Sequence, residues 1–330
     1  MPTPHVLIVI PALNEARHID GVLDFATGFA QRAGGLVVVV DGGSTDATRD
    51  IVRGRMSANP LIRLIDNPDR LQSAGVNLAV AQFGEGAEWL LRLDAHSAYP
   101  DDYGDILLAE AQQTGADSVV VSMHAEGQGF LQTVIAEAQN SRLGNGGSAH
   151  RLAGGGAWVD HGHHALMRIA AFRAVGGYDG TFSHNEDAEL DHRLTRAGHR
   201  IWLTGRTGLT YFPRAQLGPL IRQYYNFGRG RARNLRKNNL RPARRQAIVA
   251  MLAPAAALVV LAPVSLLFAA PLILWLLACL AGGVMIAVQT GRPRGLLAGL
   301  VAGTMHMAWS AGFWRQWLTR SPAPPQQEPA

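Results

Sequence analysis

The sequence predicts an open, mostly parallel α/β sheet with helices on both faces, followed by C-terminal transmembrane helices. Three observations carry this expectation. Short apolar runs rich in Val, Leu and Ile alternate with longer mixed segments through the first half of the 330 residues. Continuous apolarity marks strands buried on both faces, and strand then helix, repeated, implies parallel pairing. Residues 247–289, 43 in all, contain no Asp, Glu, Lys, Arg or His, which is room for two spans of ~20 residues each. Charge is also divided. Residues 1–191 hold 12 Lys+Arg against 24 Asp+Glu, whereas residues 192–330 hold 18 basic residues and one acid, Glu328. An acidic half suits chemistry, and a basic half suits an anionic surface.

The expected strands are residues 5–10, 36–40, 61–65, 89–93 and 118–121, with helical segments at 15–30, 45–56, 71–83 and 103–114. In such a sheet ligands sit beyond the carboxyl ends of the strands. The residues there are polar: Pro11-Ala12-Leu13-Asn14-Glu15 after the first strand, Asp41-Gly42-Gly43-Ser44-Thr45-Asp46 after the second, Asp94-Ala95-His96 after the fourth. In the second loop Ser44 or Thr45 suits a helix cap, and the glycines allow close backbone approach to a ligand. An ordinary capped loop accounts equally well for Ser44 and Asp46, but less well for Asp41, a carboxylate that ends a buried strand and needs a partner. Asp94 and His96 lie two positions apart in an extended strand and point to the same side. Such a pair can hold Mg²⁺ or Mn²⁺, which neutralises a diphosphate. The chain has no G-x-G-x-x-G and no phosphate loop ending in Gly-Lys-Ser/Thr, which disfavours dinucleotide enzymes and P-loop NTPases. Its one cysteine, Cys279, excludes an internal disulfide framework.

Further along, Glu186-Asp187 opens a helical pattern that ends at Gly198. Carboxylates there suit either a general base or the helix dipole. The cluster Asp160-His161-Gly162-His163-His164 has the chemistry of zinc ligands. Its members are nearly contiguous, however, and a closed site draws ligands from separated elements, so a loop lining an acceptor pocket is the preferred reading. Trp158 suits a face on which a ligand stacks or core packing, and Gly154-Gly155-Gly156 a close-approach backbone.

In the C-terminal third, Pro263 and Pro271 are natural breaks, and residues 295–314 form a third apolar run containing His306. Arg241, Arg244 and Arg245 precede the first span, and Arg292 and Arg294 separate the second from the third. Positive residues stay cytoplasmic, so the acidic half is expected in the cytoplasm, although Arg315 and Arg320 pull the other way. Residues 222–245 hold nine basic residues with Tyr224, Tyr225 and Phe227. Directly before a span, this segment reads as an interfacial helix on anionic lipid rather than a grip on nucleic acid. The N-terminal apolar run is too short for a signal peptide, and residues 321–330 read as a disordered tail. The expected layout is a catalytic domain over 1–215, a basic interfacial segment over 216–246, two to three spans over 247–314, and a tail over 315–330.

The ordered set Ile10-Pro11-Ala12-Leu13-Asn14-Glu15, Val39-Val40-Asp41-Gly42-Gly43-Ser44-Thr45-Asp46, Leu93-Asp94-Ala95-His96 and Asn185-Glu186-Asp187 resembles the inverting family 2 glycosyltransferases, which have the GT-A fold. The likeness spans residues 6–213. Residues 154–187 look more narrowly like the membrane-bound branch that builds succinoglycan-type exopolysaccharide. The resemblance implies that Pro11, Ala12, Glu15 and Asp41 hold the base and ribose of a UDP-sugar, with Asn14, Gly43 and Asp46 in the same donor-binding set. It implies that Asp94 meets the diphosphate, with His96 in place of the second aspartate of the usual Asp-x-Asp as metal contact. Asp187 would be the general base, beside Glu186. Trp158, His161, His163 and Gln223 would face the acceptor. Gln223 stands where processive relatives begin a Gln-x-x-Arg-Trp box, but Asn226 and Phe227 fill the Arg and Trp places, which argues against a processive polymerase. The implied activity is transfer of one sugar, with inversion and a divalent cation, to a polyprenyl-diphosphate-linked saccharide at the cytoplasmic membrane. A polyprenyl-phosphate glycosyl synthase and a non-catalytic scaffold that binds sugar nucleotides remain alternatives.

Overall fold

The computed structural model describes residues 5–146 and 156–319, and they cluster into two compact units. The first comprises the chain to Glu126 together with Gly147–Phe212; the second comprises Gly127–Gly146 and the chain from Pro213. The second unit thus includes a twenty-residue piece from within the range 1–215.

The first unit is built on strands β1 (Val6–Ala12), β2 (Leu36–Asp41), β3 (Ile62–Asp66), β4 (Trp89–Arg92), β5 (Ser97–Ala98), β6 (Ser118–Ala125), β7 (Ala157–Val159), β8 (His163–Arg168) and β9 (Ile201–Tyr211). Helices α1 (Ile19–Ala33), α2 (Thr48–Ala58), α3 (Gln72–Phe83) and α4 (Tyr103–Thr114) fill the connections. After α5 (Phe130–Asn140) and α6 (Arg142–Asn145) of the second unit come α7 (Ile169–Ala174) and α8 (Glu186–Arg196) of the first. The sheet runs β3-β2-β1-β4-β8-β6-β9, with β5 and β7 both pairing with β9. Strands β3, β2, β1 and β4 are mutually parallel, as continuous apolar runs require: Val6 to Ile10 and Val37 to Val39 are wholly buried. Each such side chain contributes roughly 1.5–3 kcal/mol relative to exposure. Leu7, Val9, Val38 and Val40 pack with Val76 and Ala79 of α3, Phe172 of α7 and Leu190 and Leu194 of α8. Alternation sends Val6, Ile8 and Ile10 to the opposite face, where α1 meets α4 so closely that a Cβ on Gly104 would lie 2.5 Å from the Phe29 ring.

The sheet is mixed, because β8 runs antiparallel between β4 and β6. An antiparallel strand begins where its parallel neighbours end. Its first residue, His163, therefore lies at the edge where β4 delivers Asp94.

The second unit consists of α5, α6, α9 (Leu217–Lys237), α10 (Arg244–Ala250), α11 (Leu252–Leu258), α12 (Ala270–Thr290) and α13 (Gly295–Leu318). Three stretches are long and apolar enough to cross a membrane: Arg244–Leu261, Leu266–Thr290 and Gly295–Leu318. Pro263 falls in the break between the first two, as expected. Pro271, also expected to break the chain, instead starts α12 at a first-turn position, where a missing N–H costs nothing. The basic segment forms α9, which packs along α13 through small residues. A Cβ on Gly228 would run into the Trp309 carbonyl, and one on Gly312 into that of Tyr225. Arg236 donates to the carbonyls of Gln316, Trp317 and Thr319 at the α13 terminus. Val134, Ile135 and Ala138 of α5 pack with Ala298, Val301, Ala302 and Met305 of α13, and Glu137 accepts from Arg294 at 2.7 Å.

Candidate functional site

Two loops at the carboxyl edge are stitched into one surface. The last two residues of β1, Pro11 and Ala12, lie opposite Val40 and Asp41 of β2. Asn14 takes a left-handed backbone, φ 58°, and its amide oxygen accepts from the Thr45 N–H at 2.8 Å. The Asn14 N–H donates to Ser44 Oγ at 2.9 Å, and the Glu15 N–H to Thr48 Oγ1 at 2.8 Å. Asp46 accepts from the N–H groups of Ala16 and Thr48 and from the Thr48 hydroxyl. Asp41 is 1% exposed and accepts from the N–H groups of Gly43 and Ser44. The partner it needed is Arg49, whose Nη1 lies 2.6 Å from Asp41 Oδ2 and 2.5 Å from Asp66 Oδ1.

Beyond β4 lies a second cluster. Arg92 and Asp94 are two positions apart and share one side of the chain, with Arg92 Nε 3.9 Å from Asp94 Oδ1. Arg92 is 6% exposed and forks onto Asp187, Nη1 to Oδ1 at 2.6 Å and Nη2 to Oδ2 at 3.2 Å. The Tyr178 hydroxyl donates to the same Oδ1 at 2.9 Å. Glu186 and Asp187 begin α8 after Asn185, itself in a left-handed conformation, so both carboxylates lie in the positive first turn. His163 stands between the two acids, Nε2 3.4 Å from Asp94 Oδ2 and Nδ1 4.0 Å from Asp187 Oδ2. His96 Nδ1 is 3.1 Å from Glu15 Oε1, which ties the Asp-x-His loop to the loop after β1. Arg92 and His163 thus link Asp94 and Asp187 into one polar cluster.

Burial and partners set the ionisation here. Burial raises the Asp94 pKa, but the hydrogen bond from His163 and the charge of Arg92 outweigh it and hold the carboxyl well below its ordinary value. At Asp41 burial is likewise overcome, by hydrogen bonds from Ser44, Arg49 and Gly43, and its pKa is lowered. Glu186 goes the other way. Burial, then the adjacent Asp187 charge, push it up to about 7. Burial raises the Tyr178 hydroxyl well above its usual range, so it stays a donor.

The remaining anticipated residues are dispersed. His161 Nδ1 lies 2.5 Å from Asp191 Oδ2, a side chain 1% exposed. Trp158 sits on β7 opposite Trp202 of β9, its ring 3.5 Å beneath the Arg200 guanidinium. Three strands of the sheet order, β9, β6 and β8, lie between β7 and β4. Gln223 is on α9 in the second unit. His161 and His163 turn to different acids, and among the described residues no group of three or more His, Cys, Asp and Glu is arranged to hold a metal. Gly154 and Gly155, and the side chain of His164, lie outside what the structure describes. Sequence reasoning missed Arg49, Arg92, Tyr178 and Asp191. Only Arg92 left a signal, a charged residue ending an otherwise apolar strand.

Comparison with known proteins accords with this geometry. The description "Glycosyl transferase family 2" matches residues 7–176. The chain is 52% identical over 312 residues, 94% of each protein, to the succinoglycan biosynthesis protein ExoA of Rhizobium meliloti (strain 1021). Among solved structures it is similar in fold to the mannosyltransferase PcManGT from Pyrobaculum calidifontis, solved with GDP-Man and Mn²⁺. That match has a TM-score of 0.54 and 22% identity, covering 91% of this chain and 86% of that one. The fold is GT-A-like, and the chain is a glycosyltransferase that belongs to glycosyl transferase family 2.

Proposed function

We infer that the protein moves a single hexose from a nucleotide-sugar, UDP-hexose by the family resemblance, to a lipid-linked saccharide, with inversion, in building a succinoglycan-type exopolysaccharide. The observation that carries this is the cluster in which Arg92 and His163 join Asp94 to Asp187. Inverting transfer needs one carboxylate at the acceptor hydroxyl and positive charge on the departing diphosphate. Asp187 takes the base role, with Glu186 beside it. The loops bearing Pro11, Ala12, Asn14, Glu15, Asp41, Gly43 and Asp46 cradle the nucleotide. Within that set Asn14 and Asp46 act by fixing loop shape, because their oxygens already serve backbone N–H groups.

The donor chemistry of Asp94 and His96, a carboxylate kept ionised and an imidazole, fits Mg²⁺ or Mn²⁺ whose other positions come from diphosphate oxygens and water. Bound there, the cation supplies Lewis-acid stabilisation of the leaving group. On the acceptor side His161 and His163 remain the best-situated candidates. Trp158 and Gln223 are weaker ones, Trp158 because its ring already carries Arg200 and Gln223 because it belongs to the other unit. The lipid-linked acceptor and a cytoplasmic-side multi-pass arrangement, with α9 against anionic lipid, rest on the three apolar stretches and the arginines that flank them. In the test, membrane extracts are supplied with a panel of nucleotide-sugars, and released nucleotide and lipid-product mass are read for wild type and Asp187→Asn. The expected outcome is sugar-extended lipid from wild type and a rate about 10³-fold lower in the variant, with donor binding retained. Turnover within tenfold of wild type in Asp187→Asn would remove the base assignment.

A further inference from the structure

We propose that Arg92 and Tyr178 are positioning residues that set the base Asp187 at a fixed distance from the diphosphate-facing Asp94. The inference deepens the reading above and rests on it. Arg92 leaves β4 two residues before Asp94 and reaches Asp187 on α8, 95 positions later, with both terminal nitrogens. Its Nε meanwhile stays 3.9 Å from Asp94. A guanidinium is planar and presents its donors in a rigid fork, so this side chain fixes the tilt of the Asp187 carboxylate and its distance from β4, the strand that delivers Asp94. A buried strand is a stiffer mount for such a gauge than a loop.

The contacts to Asp187 are unequal. Oδ1 receives the 2.6 Å bond from Arg92 and the 2.9 Å bond from Tyr178, and Oδ2 receives the 3.2 Å bond from Arg92, with His163 Nδ1 4.0 Å away. Oδ1 is thus held from two sides, by Arg92 and by Tyr178. In the transfer the O–H bond of the acceptor breaks, its oxygen bonds to the anomeric carbon, and the proton passes to the Asp187 carboxylate as the nucleotide diphosphate leaves. Tyr178 keeps its own proton throughout and holds Oδ1 in place. It is itself held by the Phe172 ring, 5.6 Å away edge-to-face, and by a second hydrogen bond, from Arg92 at 2.9 Å.

The test compares full-length protein in membranes carrying Arg92→Lys, Arg92→Met, Tyr178→Phe, Asp187→Asn and the double substitutions Arg92→Met/Asp187→Asn and Tyr178→Phe/Asp187→Asn. Binding of the nucleotide-sugar is measured separately. Displacement of a reacting group by ~1 Å costs on the order of 100-fold. Arg92→Lys, which keeps the charge and loses the fork, should accordingly lower kcat about 100-fold with donor KM within about twofold. Tyr178→Phe should lower kcat about tenfold, the weight of one buried hydrogen bond. In the Asp187→Asn background neither substitution should slow the residual rate more than about threefold, because the group they position is gone. Equal losses in both backgrounds would overturn the proposal in favour of a structural role, as would a changed donor KM with kcat intact. Should Arg92→Met fail to fold, Tyr178→Phe, which keeps the ring and its packing, completes the cycle. An active Asp187→Asn would sink the base reading itself. An inactive Asp187→Asn alongside fully active Arg92→Lys and Tyr178→Phe would sink only this inference.

Discussion

Glu186 shows how one residue reports the electrostatics of its neighbourhood. Its carboxyl is raised to about 7 in the folded protein, first by burial and then by Asp187, against ~4.3 in an unfolded chain. A folded pKa above the unfolded one means that the native state binds the proton more tightly. Glu186 therefore supports folding fully below pH ~4.3, and that support is lost as pH rises through about 7. Glu186→Gln stays neutral at all pH. Its melting temperature should match wild type near pH 4 and exceed it by several degrees at pH 8, as followed by thermal denaturation at both values. Equal melting temperatures at pH 8 would mean that Glu186 is not ionised against a penalty. The same residue scale shows what sequence can and cannot disclose. Asp41, Asp94 and Asp187 stood out because each follows a strand or opens a helix. Arg92 ends β4 as its one charged residue, and Tyr178 belongs to no motif. Their importance arises from bonds to Asp187 that span 95 and nine positions, which no local pattern encodes.

At the scale of elements, β1 to β4 and the helices between them were legible to within a few residues, because burial on both faces writes itself as unbroken Val, Leu and Ile. Strand β8 was not. It pairs antiparallel inside an otherwise parallel neighbourhood, and its sequence, His163–Arg168, mixes polar and apolar residues because its first residues serve the cleft. Strand β9, Ile201–Tyr211, was missed too. Its pairing with β6 slips between Val120 and Ser122, and its burial is interrupted midway by exposed Gly205 and Arg206. Helix packing makes the fourth prediction. Gly104→Ala would press a Cβ against Phe29 at 2.5 Å and should destabilise by about 1–3 kcal/mol, the usual cost of overpacking. Gly54→Ala, within α2 and with nothing within 4 Å, should stabilise by about 0.5–1 kcal/mol through helix propensity. Denaturant titration of both variants checks the pair, and the two shifts must have opposite signs.

The whole molecule is not a soluble enzyme with an anchor appended. The chain passes between its two units three times, near residues 126, 146 and 212. Nothing in the composition of residues 127–146 distinguishes them from other helical connections; their assignment depends on α13, far downstream. A fragment ending at Phe212 would keep α5 but lose α13, uncovering Val134, Ile135 and Ala138. Such a fragment is expected to elute as aggregate in size-exclusion chromatography. Replacing Val134 and Ile135 with glutamine should shift it toward monomer; a monodisperse unmodified fragment would count against the packing described.

That embedded segment also bears on biosynthesis. Glu137 waits for Arg294, 157 residues later, on the order of ten seconds or more at ribosomal speeds of ~5–20 residues per second. For that interval a nascent sheet must close around an insert whose final neighbours are still untranslated. The late step expected in maturation is therefore the capture of α5 by α13, after the two preceding apolar stretches have been made.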